Sequence, residues 1–143
     1  MKFFDYRTRV IYRDTDKLGI SYYANYFVWF EAARTEYFRA LGFPYTECEK
    51  KGIFLPVIEA QARYIAPSTY DDELIVRTSV SKFTPSTIRF EYCVLNATSQ
   101  KLLTQGYTVH VFVDREMNPC RVPAEVESVV TIHTLLDSKK QMS

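Results

Sequence analysis

Histidine and cysteine are scarce, at two and three of 143 residues. Cys48, Cys93 and Cys120 are odd in number, far apart, unpaired as CxxC, and not at metal-ligand spacing from a histidine. That pattern argues against a zinc site or a disulfide framework and for reduced thiols. Charge of one sign is also lacking: 18 Lys and Arg stand against 17 Asp and Glu, a net charge of +1. No electrostatic excess draws the chain to nucleic acid or to an anionic membrane. There is no long apolar run, and the opening MKFFDYRTRVIYRD mixes charge with aromatics. Neither a secretory signal nor a membrane span is expected, and the cytosol is the expected location. No repeat, linker or low-complexity tract divides the sequence, so residues 1–143 are expected to form a single domain.

Aromatic side chains are plentiful, with 11 Tyr and 10 Phe. Most are expected to fill a small core, leaving a few to wall a pocket. From Tyr6 to Arg13 the residues alternate, with Tyr6, Thr8, Val10 and Tyr12 on one face, which predicts a half-buried strand. DTDKLG then predicts a turn, with Gly19 relieving the backbone. Tyr26, Phe30, Ala33, Tyr37 and Leu41 recur at three- and four-residue steps before Gly42 and Pro44, predicting a helix. Phe27, Val28, Trp29 and Phe38 place apolar groups on its other faces, which predicts a helix enclosed by other elements. Four further strands are predicted: Leu55 to Tyr64, Glu73 to Lys82, one centred on Ile88 to Val94, and Leu103 to Val113. A short helix is predicted from Pro123, and the tail from about residue 137 to 143 is expected to fray.

Tyr12 to Arg34, reading YRDTDKLGISYYANYFVWFEAAR, resembles the segment that marks the 4-hydroxybenzoyl-CoA thioesterase family and its acyl-CoA thioesterase relatives. There a strand ends in a DxD turn, a Gly follows, then an aromatic or His, then an Asn and an aromatic opening the helix. LPVIEAQARYIAPSTYDDEL and GYTVHVFVD carry the likeness further along the chain. The resemblance implies an α+β hotdog fold, with an antiparallel sheet wrapped around one long central helix. It implies hydrolysis of an acyl-CoA thioester with no metal or tightly bound cofactor. It also implies a homodimer or a homotetramer built as a dimer of dimers. The catalytic carboxylate carries over to Asp16, and the amide that polarises the thioester carbonyl to Tyr23. Gly19, Tyr22, Asn25 and Glu59 are expected near the substrate. Lys82, Ser86 and Thr87, in the SKFTPST turn, are expected at the CoA tail. The sequence departs from the pattern at Lys17 and Leu18, where relatives more often carry small or uncharged residues.

The chemistry follows from the residue types. A thioester carbonyl under attack gathers negative charge on oxygen, and the unpaired amides at a helix start are donors fixed in advance. Asp16, in the turn leading into the helix, can attack the carbonyl itself or activate water as a general base. Asp14 reads as structural, holding the turn. Glu31 on the helix is a rival carboxylate, because another hotdog branch places its carboxylate there. Cys93 and His110 read as packed sheet residues rather than a nucleophile and base. The His-rich motif of hotdog dehydratases is missing. The competing reading is a non-catalytic acyl-CoA binding module. A further one is hydrolysis of acyl groups carried on acyl carrier protein. The acyl group itself is left open between small aromatic and short or medium aliphatic chains.

Overall fold

A computed structural model describes residues 3–43 and 45–131; Pro44 and the tail from 137 lie outside the described residues. Strand β1 (Phe4–Arg9) leads into helix α1 (Asn25–Ala40). A short helix α2 (Tyr45–Lys50) follows, then β2 (Val57–Tyr64), β3 (Glu73–Phe83), β4 (Thr87–Asn96) and β5 (Leu102–Val111). The strands form one antiparallel sheet in the order β1-β3-β4-β5-β2. Residues 124–131 are helical, directly after Pro123.

Alternation decides which side of the sheet meets α1. In β4, Ile88, Phe90, Tyr92 and Val94 are buried while their neighbours are half-buried. Tyr26, Trp29, Phe30, Ala33, Tyr37 and Phe38 of α1 pack down on that face. Phe30 stacks on Tyr92 with centroids 4.2 Å apart and rings 5° from parallel. Tyr37 and Phe38 meet Phe90 edge-on, at 6.2 and 5.7 Å. The helix comes so close to the sheet that a Cβ on Gly106 of β5 would stand 2.9 Å from the Phe30 ring and would run into the Gln61 carbonyl oxygen. Glycine is required at that crossing for space rather than for its backbone angles. This is the hotdog arrangement, a sheet curled around one long helix.

Three expectations need correction. The first strand ends at Arg9 rather than Arg13, because the Asp14 carboxylate captures the Ile11 N–H at 3.0 Å and curls Tyr12–Asp14 into a 3₁₀ turn. The helix is not enclosed on every side within one chain: Val28 is 59% exposed and Glu31 is exposed beside it. Helix α2 was not foreseen. Its six residues are too few to signal themselves by periodicity, and it is held by Cys48, buried, and by Tyr45 against Phe38 at 5.3 Å.

Candidate active site

The turn between β1 and α1 is a scaffold of short backbone bonds. Thr15 and Ser21 bridge across it, and the Asp16 N–H donates to the Ile20 carbonyl at 2.9 Å. Gly19 closes it with φ +80°, a conformation that favours glycine, and donates to the Asp16 carbonyl at 3.0 Å. The Asp14 carbonyl accepts from the Tyr22 N–H at 2.7 Å and from the Asn25 side-chain amide at 2.8 Å. Turn and helix start are thereby locked to each other. Asp16 Oδ1 accepts the Leu18 N–H at 2.8 Å, a local bond that orients the carboxylate. Its second oxygen has no partner among the described residues.

At the helix start the bonding has three-residue spacing. Asn25 donates to the Tyr22 carbonyl at 2.9 Å, Tyr26 to Tyr23 at 3.4 Å and Phe27 to Ala24 at 3.2 Å. Ala24, at the N-cap, offers no side-chain oxygen to the first turn. The N–H groups of Tyr23 and Ala24 have no acceptor among the described residues. Two donors at the positive end of the helix dipole are left unengaged beside a half-buried carboxylate.

A cleft of about 400 Å³ brings these parts together, lined by Asp16, Ile20, Ser21, Tyr23, Tyr26 and the run Tyr64 to Pro67. Its back wall is a hydroxyl chain. Ser68, buried, meets Ser21 Oγ at 2.6 Å and Tyr26 Oη at 2.8 Å. Tyr64 spans from the end of β2 and donates from Oη to the Tyr23 carbonyl at 2.9 Å. Its ring meets those of Tyr26 and Tyr23 edge-on, at 5.4 and 6.2 Å. The Tyr22 ring meets that of Tyr23 at a tilt, with centroids 4.7 Å apart, and is 43% exposed. The Tyr22 pKa is raised, chiefly by its hydrogen bond with the Tyr23 side chain and also by the nearby Asp16 charge.

The expected site residues therefore divide. Asp16, Gly19, Tyr22, Tyr23 and Asn25 are gathered at one place, with Asn25 tied to the Asp14 carbonyl rather than lining the cleft. Glu59 is elsewhere: it pairs with Val109 in the sheet and shares the outer face, turned away from α1. Lys82, Ser86 and Thr87 stand at the β3–β4 turn, where Thr84 Oγ1 and Thr87 Oγ1 meet at 2.6 Å. That turn is at the opposite end of the sheet, seven residues of β4 and roughly 23 Å away. Glu31 lines a different groove, with Phe27, Val28, Arg34, Val57, Ala60 and Thr108. Cys93 and His110 occupy opposite faces of the sheet. Sequence reasoning missed Tyr26 and Tyr64 as cleft residues, and Ser68 as the buried hydroxyl behind them. Only the strand pairing brings 64–68 to the helix start, through the bridge from Ile20 to Thr69 and the bond from Ser21 N–H to the Ser68 carbonyl. Among the described residues no three His, Cys, Asp or Glu side chains converge as metal ligands.

Comparison with known proteins gives the family and the fold. Residues 10–130 match the thioesterase-like superfamily. The acyl-CoA thioesterase YbgC of Haemophilus influenzae is 38% identical over 128 residues, covering 87% of this chain and 92% of that protein. The structure of a DHNA-CoA thioesterase from Staphylococcus aureus superposes with a TM-score of 0.93 at 28% identity, covering 98% of this chain and 96% of that one. A gentisyl-coenzyme A thioesterase superposes with a TM-score of 0.79, also at 28% identity, over 86% of this chain and 98% of its own. Fold, cleft and relatives converge on one assignment: the chain belongs to the thioesterase-like superfamily and is a thioester hydrolase of the hotdog fold.

Proposed function

We propose that the protein hydrolyses an acyl-CoA thioester in the cleft between the DTD turn and the start of α1, with Asp16 as the reacting carboxylate. The observation that carries this reading is the meeting, in one cleft, of an Asp16 oxygen without a partner and a Tyr23 N–H without an acceptor. The thioester carbonyl oxygen takes the Tyr23 N–H, and the developing negative charge is met by the helix dipole. As nucleophile, Asp16 forms an anhydride with the acyl carbon and expels CoA as the thiolate, after which water cleaves the anhydride. As general base, it takes a proton from the water that attacks. The rings of Tyr23, Tyr26 and Tyr64 with Ile65 supply an apolar wall for a small aromatic or a short to medium aliphatic acyl group.

The proposal includes assembly as a dimer, which accounts for the CoA end of the substrate. Among the described residues, strand β2 is an unpaired sheet edge exposed on nearly every residue, beside the open Val28 face of α1. A second copy joined edge to edge, antiparallel across a two-fold axis, extends the sheet and covers both. The two-fold reverses strand direction, so the second copy's β3–β4 turn, with its Lys82, Ser86 and Thr87, comes to the end where this chain's cleft opens. It lies three strand spacings away, roughly 14 Å. Relatives' names favour a CoA thioester: the proteins compared act on acyl-CoA, DHNA-CoA and gentisyl-CoA.

Thiol release from aromatic and aliphatic acyl-CoAs, followed for the wild type and for Asp16→Asn, tests the reading. The expected result is turnover by the wild type and a fall of roughly 10²- to 10⁴-fold in the variant, with its melting transition preserved. Saturable acyl-CoA binding without release by the wild type overturns it in favour of a binding module. Activity that survives the substitution removes Asp16 from the reaction.

A further inference from the structure

Tyr64 stands outside the DTD turn and outside the helix, yet its one polar atom is spent on the helix start. Its hydroxyl donates to the Tyr23 carbonyl at 2.9 Å. That carbonyl belongs to the same peptide plane as the Ala24 N–H, and the Ala24 N–H has no acceptor among the described residues. The helix start serves that carbonyl poorly, since the Tyr26 N–H reaches it only at 3.4 Å. A short bond to one end of a peptide unit fixes the plane and polarises the N–H at the other end. The hydroxyl is suited to lasting donation, because burial raises the Tyr64 pKa and keeps the proton in place. The ring packs edge-on against Tyr26 and Tyr23, so the donor is held by two aromatic contacts and by its strand.

We propose that Tyr64 is a positioning residue for thioester hydrolysis: its hydroxyl orients and polarises the Tyr23–Ala24 peptide so that the Ala24 N–H joins the Tyr23 N–H as a second donor to the carbonyl oxygen. The proposal rests on the reading of this cleft as the thioester site. Two adjacent N–H groups at a helix start can serve one oxygen, and the second gains strength only as negative charge grows there. The effect belongs to the transition state. Loss of the hydroxyl should therefore lower kcat and leave KM in place.

Tyr64→Phe is the test, since it removes one oxygen atom and keeps the ring. Loss of a whole oxyanion donor costs roughly 10²- to 10³-fold, and here the donor remains but is loosened, so a fall in kcat of roughly 5- to 30-fold is expected. KM and the melting temperature should stay within error of the wild type. The second measurement is the infrared stretch of the thioester carbonyl of an acyl-CoA bound to Asp16→Asn, against Asp16→Asn with Tyr64→Phe. The added substitution should move the band to higher frequency, because the carbonyl is less polarised. An unchanged kcat in Tyr64→Phe with Asp16→Asn inactive overturns this proposal and leaves the Asp16 reading standing. An unchanged carbonyl band overturns it as well. Full activity in Asp16→Asn is the separate failure of the site reading itself.

Discussion

His110 is fully buried between β5 and α1, and both of its ring nitrogens are engaged. Nδ1 lies 3.0 Å from the Leu55 carbonyl, which can only accept, so Nδ1 carries the proton and Nε2 accepts from Thr108 Oγ1 at 2.8 Å. Thr108 in turn meets Tyr92 Oη at 2.7 Å, and Arg34 donates to that same phenol at 3.4 Å. With the imidazole neutral the chain runs in one direction, from Arg34 through Tyr92 and Thr108 to His110. Burial, chiefly, with the Arg34 charge assisting against the Leu55 bond, lowers the His110 pKa from 6.5 to about 4. A histidine whose folded pKa is depressed binds its proton first in the unfolded chain. Its contribution to stability is therefore complete above pH 6.5, is lost as the pH falls toward 4, and amounts to about 3 kcal/mol. Urea unfolding at a series of pH values between 7.5 and 4.5, at fixed protein concentration, should show that slope, and His110→Gln should flatten it. Residues differ in how plainly the sequence announces such roles. Asp14 and Asp16 stand in one turn, and their separate uses are local bonds to residues two or three places away. The Leu55 carbonyl that His110 reaches and the Tyr23 carbonyl that Tyr64 reaches are 55 and 41 positions distant, a pairing that alternation alone does not specify.

Among the elements, α1 and β5 approach closely over Gly106. Any side chain there pushes either on the Phe30 ring or on the Gln61 backbone of β2, and the second cannot yield without breaking the β2–β5 pairing. Gly106→Val should destabilise the protein by about 3 kcal/mol, seen as a lower urea midpoint with an unchanged slope. The strands themselves were legible, because an antiparallel sheet with one face on a helix writes its alternation into the sequence, as in Ile88, Phe90, Tyr92 and Val94. Strand β2 was legible for its extent but not its surroundings. Ala60, Ala62 and Tyr64 share the face that meets β5 at Thr108, Gly106 and Thr104, yet most of that strand is exposed. Apolar alternation marks surface meant for burial and is silent on whether the same chain or another one buries it.

At the scale of the whole molecule, the uncovered ground is continuous: Val57 and Ile58 on the β2 edge are 46% and 59% exposed, next to the open Val28 side of α1. An exposed strand edge that begins with Val57 and Ile58 and has no partner among the described residues invites another chain, and a second copy is the self-complementary choice. Sedimentation should give a dimer or a multiple of it, and Val28→Lys combined with Ile58→Lys should shift the particle toward the monomer. Such an edge also makes stability a property of the solution rather than of the chain alone. Association favours the folded form by mass action, so the melting temperature should rise as the protein is concentrated, and specific activity should fade on dilution before any residue of the cleft has changed.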